Sequence, residues 1–88
     1  MQSKYDPLKD YLNNLPSEKS QKWLTFSAIE KILGFKLPPS AYEYKVWWNN
    51  ESGDTSHSHA HSWMAAGFLA TDIQQRREGG SVVFIRKL

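Results

Sequence analysis

The sequence predicts an α+β domain built from four short helices followed by a C-terminal β-hairpin. Three observations predict it. Apolar residues recur at helical spacing in separate short runs before residue 68, the period changes to two after Phe68, and Glu78-Gly79-Gly80 supplies a turn between two β-prone stretches. Eighty-eight residues make this one domain, 1–88, because a second core would leave neither half enough apolar material to stay folded.

The first helix is marked by Asp6 as a cap, Pro7 in its first turn, and Leu8, Tyr11, Leu12 and Leu15 at i, i+3, i+4 and i+7. Pro16 and Ser17 close it, and residues 18–22 read as a polar loop. Trp23-Leu24-Thr25-Phe26 is aromatic and β-prone, a brief strand or an extended lead-in. Ser27 and Glu30 have capping-box spacing ahead of a second helix with Ile29, Ile32 and Leu33 on one stripe, and Gly34 is placed to end it in a left-handed conformation. Leu37-Pro38-Pro39 is expected to be extended. Ser40 and Glu43 repeat the capping spacing before a third helix carrying Ala41, Tyr44, Trp47 and Trp48, stopped by Asn49 and Asn50. A polar loop over 51–56 follows. The fourth helix is expected to start near Ser56, with Ala60, Trp63 and Met64 on its apolar side and Gly67 at its end. Leu69, Thr71 and Ile73 then alternate with Ala70, Asp72 and Gln74, and residues 81–88 form the return strand.

This order is winged-helix-like: such a domain runs helix, short strand, helix, recognition helix and a two-stranded wing, here with an extra helix in the middle. Unrelated α+β domains share the order, so it does not by itself specify function.

Composition narrows the classes. Forty percent apolar and 14% aromatic residues exceed what a disordered chain carries. The absence of Cys removes disulfides and thiolate metal sites and fits a reducing compartment. No apolar run approaches the ~20 residues of a membrane span and the first ten residues hold no signal-like core, so the expectation is a cytoplasmic protein without a membrane partner. The net charge of +2 is mild. Its placement says more: over residues 73–88, Arg76, Arg77, Arg86 and Lys87 face only Glu78.

Several segments carry a resemblance. They are Tyr5-Asp6-Pro7-Leu8 with Tyr11-Leu12, Leu24-Thr25-Phe26 with Ile29-Glu30 and Ile32-Leu33-Gly34, and Leu37-Pro38-Pro39-Ser40-Ala41. Trp47-Trp48 with Asn50, His57 with Ala60 and Trp63, and Ala66-Gly67 complete the pattern. Together they resemble a family of small, functionally uncharacterised bacterial and phage domains, over most of the chain. His59 and His61 depart from that pattern. The resemblance implies a binding module, alone or appended to larger proteins, and brings no activity to any residue.

Chemistry-bearing residues are few. His57, His59 and His61 are spaced by two; on a helix His57 and His61 share a face while His59 points elsewhere, with no clear further ligands, so no metal is assigned. Trp47, Trp48, Asn50 and His57 define a candidate pocket in which an exposed indole stacks on a base or a flat ligand; alternatively Trp47, Trp48 and Trp63 form the core with their indole N–H groups bonded. There is no Cys nucleophile, glycine-rich phosphate loop or G-x-S-x-G elbow, so a non-catalytic protein without cofactor is expected.

The leading functional expectation is a nucleic-acid-binding module, DNA above RNA. Arg76, Arg77, Arg86 and Lys87 would lie on phosphate, and Ser58, His59 and Ser62 of the fourth helix would serve as the reader. That helix lacks Arg and Lys, against the commonest base contact. The alternative is a protein-interaction module, a small inhibitor, adaptor or homodimer, docking the aromatic patch and the hairpin edge onto a larger bacterial protein.

Overall fold

The computed structural model describes residues 3–50 and 58–87. The polar loop, the helix start near Ser56 and His57 therefore lie outside the described residues. The elements are α1 (Asp6–Asn13), β1 (Gln21–Thr25), α2 (Phe26–Leu33), α3 (Pro39–Glu43), a 3-10 turn (Lys45–Trp48), α4 (Ser58–Ala65), β2 (Phe68–Gln74) and β3 (Ser81–Arg86). Among the described residues no helix is long and apolar enough to cross a membrane.

The first helix forms as its pattern requires, with Pro7 in the first turn and Leu8 and Leu12 buried. Asp6 is not its cap: Tyr5 holds the N-cap position without a side-chain cap bond, and the Asp6 carboxylate instead accepts from the Ser3 amide at 3.1 Å while the Ser3 hydroxyl accepts from the Tyr5 amide at 3.1 Å. Gly34 ends α2 at φ +86. The capping box at its start does not form. Thr25 caps instead, its hydroxyl accepting from the Ala28 amide at 3.0 Å, and Glu30 turns away to the Leu37 amide at 2.9 Å and the Tyr42 hydroxyl.

The third helix is shorter than its pattern implies. Pro39 is its first residue, where a fixed φ is already helical. Tyr44 is extended at φ −123, ψ 119, and the chain re-enters as a 3-10 turn. The break follows from Trp47-Trp48: adjacent helical residues diverge by about 100°, and one continuous helix could not bury Trp48 while keeping Trp47 on its other contacts.

The sheet has three antiparallel strands in the order β1-β3-β2. The hairpin is present as expected, and β1 joins it by pairing with β3 from Gln21↔Ile85 to Thr25↔Ser81. A bulge interrupts the β2–β3 register between Thr71 and Gln74, with Asp72 at φ +50, a conformation Asp tolerates.

Among the described residues, helices cover one face of this sheet. Leu24, Val82, Phe84, Phe68 and Ala70 point into the core with Leu8, Leu12, Ile29 and Ala60. The core centre is a run of rings: Phe26 stacks on Trp48 at 5.1 Å, Trp48 on Trp63 at 5.6 Å, and Trp63 meets Phe84 at 5.5 Å. Side chains of period two fall on the other face, where Gln21, Trp23 and Ile85 are exposed and Leu69, Thr71 and Val83 are half-buried.

Candidate functional site: an open strand edge beside an exposed tryptophan

The two edges of the sheet are finished differently. On β2, ladder alternation points the backbone of Ala70 outward, because Lys87 donates to the Gly67 carbonyl at 2.7 Å and fixes the parity. Asn50 closes that position. Its side-chain oxygen accepts from the Ala70 amide at 2.8 Å, and its side-chain amide donates to the Ala70 carbonyl at 3.0 Å. The same oxygen accepts from the Trp63 indole at 2.8 Å. One primary amide thus occupies the place of a neighbouring strand and satisfies a buried indole.

On β1 the parity is set by Arg86 donating to the Ser20 carbonyl at 2.7 Å and Phe26 donating to the Gly80 carbonyl at 2.8 Å. Lys22 and Leu24 therefore face β3, while the backbone groups of Gln21 and Trp23 and the Thr25 amide point outward. Among the described residues no hydrogen bond is made to the outward groups of Gln21 or Trp23. Trp23 is 59% exposed, and its cross-strand neighbour is Val83, with Ile85 beside it at the surface. An exposed indole next to unpaired strand backbone is an adhesive combination that folded proteins normally avoid.

The end of this edge is cationic. Arg86 donates through Nε to the Lys19 carbonyl at 2.9 Å and through Nη2 to the Pro16 carbonyl at 3.1 Å, and its guanidinium lies 4.6 Å from the Phe68 ring centroid. These contacts fasten the 16–20 loop to the end of β3. Lys19, Lys22, Arg86 and Lys87 consequently gather where β1 begins.

The sequence-predicted residues fall as follows. Arg76 and Arg77 are exposed in the β2–β3 turn, one length of β3 away from Arg86 and Lys87, roughly 20 Å at ~3.3 Å per residue. Arg77 lines a groove of about 480 Å³ with Lys36, Glu30, Tyr42 and Glu43. There the Tyr42 hydroxyl is pushed up to about 12, first by burial and then by its hydrogen bond to Glu30. The four C-terminal cations are thus split between two ends of the hairpin, and acids accompany the pair at the turn.

The fourth helix turns its expected reader inward. His59 is buried, stacked on Trp47 at 4.0 Å and 5°, with Nε2 at 2.7 Å from the Trp47 carbonyl. Ser62 is buried and donates to the His59 carbonyl at 2.6 Å. Ser58 opens the helix, and His61 is exposed. His59 and His61 therefore lie on different sides of α4, and among the described residues no group of three metal-ligating side chains forms.

Of the four pocket residues, His57 lies outside the described residues and the other three are engaged with the fold. Trp48 is buried and donates to the Ala41 carbonyl at 2.8 Å, Trp47 is half-buried against His59, and Asn50 is the plug on β2. The exposed indole is Trp23, to which the sequence reading gave no role. Its signal was present: if Leu24 faces the core in a strand, period two sends Trp23 to the opposite face.

No curated protein and no solved structure matches this chain. Residues 5–88 match the family model described as "Domain of unknown function (DUF7662)", and the chain belongs to that family.

Proposed function

We propose that this chain is a non-catalytic protein-interaction module that takes up an extended segment of its partner along the outer edge of β1, with Trp23 as the apolar anchor. The observation that carries this reading is the asymmetry of the sheet: Asn50 closes the β2 edge at Ala70, while the β1 edge keeps outward backbone beside an exposed indole. Backbone donors and acceptors at strand spacing read another extended chain, and alternate side chains add specificity. The scaffold, with β3 between β1 and β2 and two helices following β1, fits a winged-helix-like arrangement with an additional helix.

Nucleic acid is the weaker reading of the same surfaces. Two Arg86 N–H groups are held by loop carbonyls, His59 and Ser62 face the core, and Arg76 and Arg77 lie at the opposite end of the hairpin from Arg86 and Lys87. Affinity for phosphate rises with the number of cations that can act together, and this arrangement divides the four expected to contact phosphate.

A display library of random extended peptides, selected on the intact domain, tests the proposal. Selected clones should be lost on Gln21→Pro, which removes an outward amide without touching the ladder, and on Trp23→Ala, with both variants still folded by circular dichroism. Clones that bind these variants as well as the parent would refute strand addition. Retention of labelled oligonucleotide, with no peptide selected, would return the reading to nucleic acid.

A further inference from the structure

We infer that the segment captured by β1 lies antiparallel and carries acidic side chains toward its carboxyl end, beyond the residue that meets Trp23. This inference rests on the strand-addition reading above. It is carried by where the charge of the chain sits.

Residues 16–22 and 85–87 close one end of the sheet. They hold Lys19, Lys22, Arg86 and Lys87 against Glu18 alone, an excess of three, whereas the whole chain has an excess of two. Everything else is therefore net negative by one. The hydrogen bonds of Arg86 to the 16–20 loop hold these groups together, and among the described residues Lys19, Lys22 and Lys87 have no ion-pair partner. The cationic cluster is a built consequence of the fold, since its members come from both ends of the sequence.

Register turns this cluster into a polarity. Lys19 and Lys22 precede or begin β1, so an antiparallel visitor passes Trp23 first and then runs toward them with its carboxyl half. Antiparallel pairing is the arrangement already used by every strand here and the slightly more stable one per residue. The visitor's residue opposite Trp23 projects to the outer face beside the indole, which favours an apolar or β-branched side chain. The next residue lies opposite Lys22 and a later one opposite Lys19, and these are the positions for Asp or Glu.

A second copy of this chain fits less well. The outer face spans about 14 Å across three strands and about 17 Å along five residues, roughly 240 Å². A stable association buries about 800 Å² per partner. Antiparallel self-pairing through β1 would also set each cationic end beside the Thr25 end of the other copy, leaving both clusters without an acidic partner. A short acidic strand supplies that partner.

The experiment titrates the isotope-labelled domain with synthetic peptides sharing one apolar anchor and carrying Asp, Ser or Lys opposite Lys22 and Lys19, together with the Asp peptide in reversed order. Amide shifts of Gln21, Trp23 and Thr25 report the edge. The Asp peptide should bind about tenfold more tightly than the Ser peptide at low salt, and the margin should shrink in half-molar salt. Combined Lys19→Glu and Lys87→Glu should reverse the order in favour of the Lys peptide.

Equal binding of Asp and Ser peptides, with edge shifts, overturns the acidic inference and leaves strand addition standing. A reversed peptide that binds as well as the forward one overturns the polarity. Asp-peptide binding without edge shifts, or unaffected by Gln21→Pro, overturns strand addition itself, and silence from every peptide at about millimolar concentration removes both. A concentration-dependent dimer abolished by Gln21→Pro, or oligothymidine binding more tightly than the Asp peptide, replaces the proposed occupant.

Discussion

Replacing Asn50 by Ala removes three hydrogen bonds at one stroke. The Trp63 indole N–H sits on a side chain that is only 1% exposed, so it loses its partner where water has little access. An unsatisfied buried donor costs about 1–3 kcal/mol. The Ala70 amide and carbonyl lie at a sheet edge where water can substitute, so each contributes about 0.5–1 kcal/mol. The expected loss is about 3 kcal/mol. A domain of 88 residues has roughly 4–13 kcal/mol to lose, and at ~4–8 °C per kcal/mol its thermal midpoint should fall by about 12–24 °C. Asn50→Asp keeps the acceptor for Trp63 and for the Ala70 amide but sets an oxygen against the Ala70 carbonyl, and should cost less. Thermal unfolding followed by near-ultraviolet circular dichroism, which reports the aromatic core, provides the assay. A loss below about 1 kcal/mol for Asn50→Ala, or a larger loss for Asn50→Asp than for Asn50→Ala, would refute the assignment of that amide as the link between Trp63 and β2.

Three further outcomes follow from the geometry. Gly80→Ala should destabilise by at least about 2 kcal/mol in denaturant titration, because an added Cβ would stand 2.5 Å from Phe26 Cδ2 and 2.8 Å from the Arg76 carbonyl oxygen; Gly34→Ala, with open space but φ +86, should cost only about 1 kcal/mol. Gln21→Pro should leave the midpoint within a few degrees whereas Lys22→Pro should lower it sharply, since only the second removes an amide that faces β3; equal losses would overturn the parity assigned to β1. The Tyr42 hydroxyl is pushed up to about 12 from an ordinary 10.0, so the contribution of its neutral form is complete below pH 10 and declines as pH rises toward 12, and burial raises Tyr5 in the same direction. Tyr42→Phe should flatten that decline in pH-dependent unfolding, the remaining slope belonging to Tyr5; an unaltered slope would dissociate Tyr42 from it.

Much of the fold was legible because its signals are local. Pro7 with Leu8 and Leu12, Gly34 after Leu33, and Gly79-Gly80 between alternating stretches each act within a few residues, and each element formed near its predicted place. What escaped depends on contacts distant in sequence. Nothing near Glu30 says that it will leave the helix start for the Leu37 amide and Tyr42, and nothing near Trp23 says that Val83 will be its neighbour. The candidate site suffered most. Arg86 reads as a phosphate ligand until its guanidinium is seen holding the Lys19 and Pro16 carbonyls, and His59 reads as a surface donor until Trp47 covers it. The third helix failed for a related reason: helical spacing counts Trp47 and Trp48 on one side, but packing two adjacent indoles demanded the break at Tyr44.

The Asn50 plug also sets the valence of the molecule. A sheet with two free sides is a bifunctional monomer, able to add units indefinitely and grow into a fibre. Under the strand-addition proposal, a side stoppered at Ala70 would leave each copy a single lateral junction, so association would end at a pair or at one bound strand. Such a chain would act as a terminator in a stacking reaction, its sticky side kept without the hazard of polymerisation.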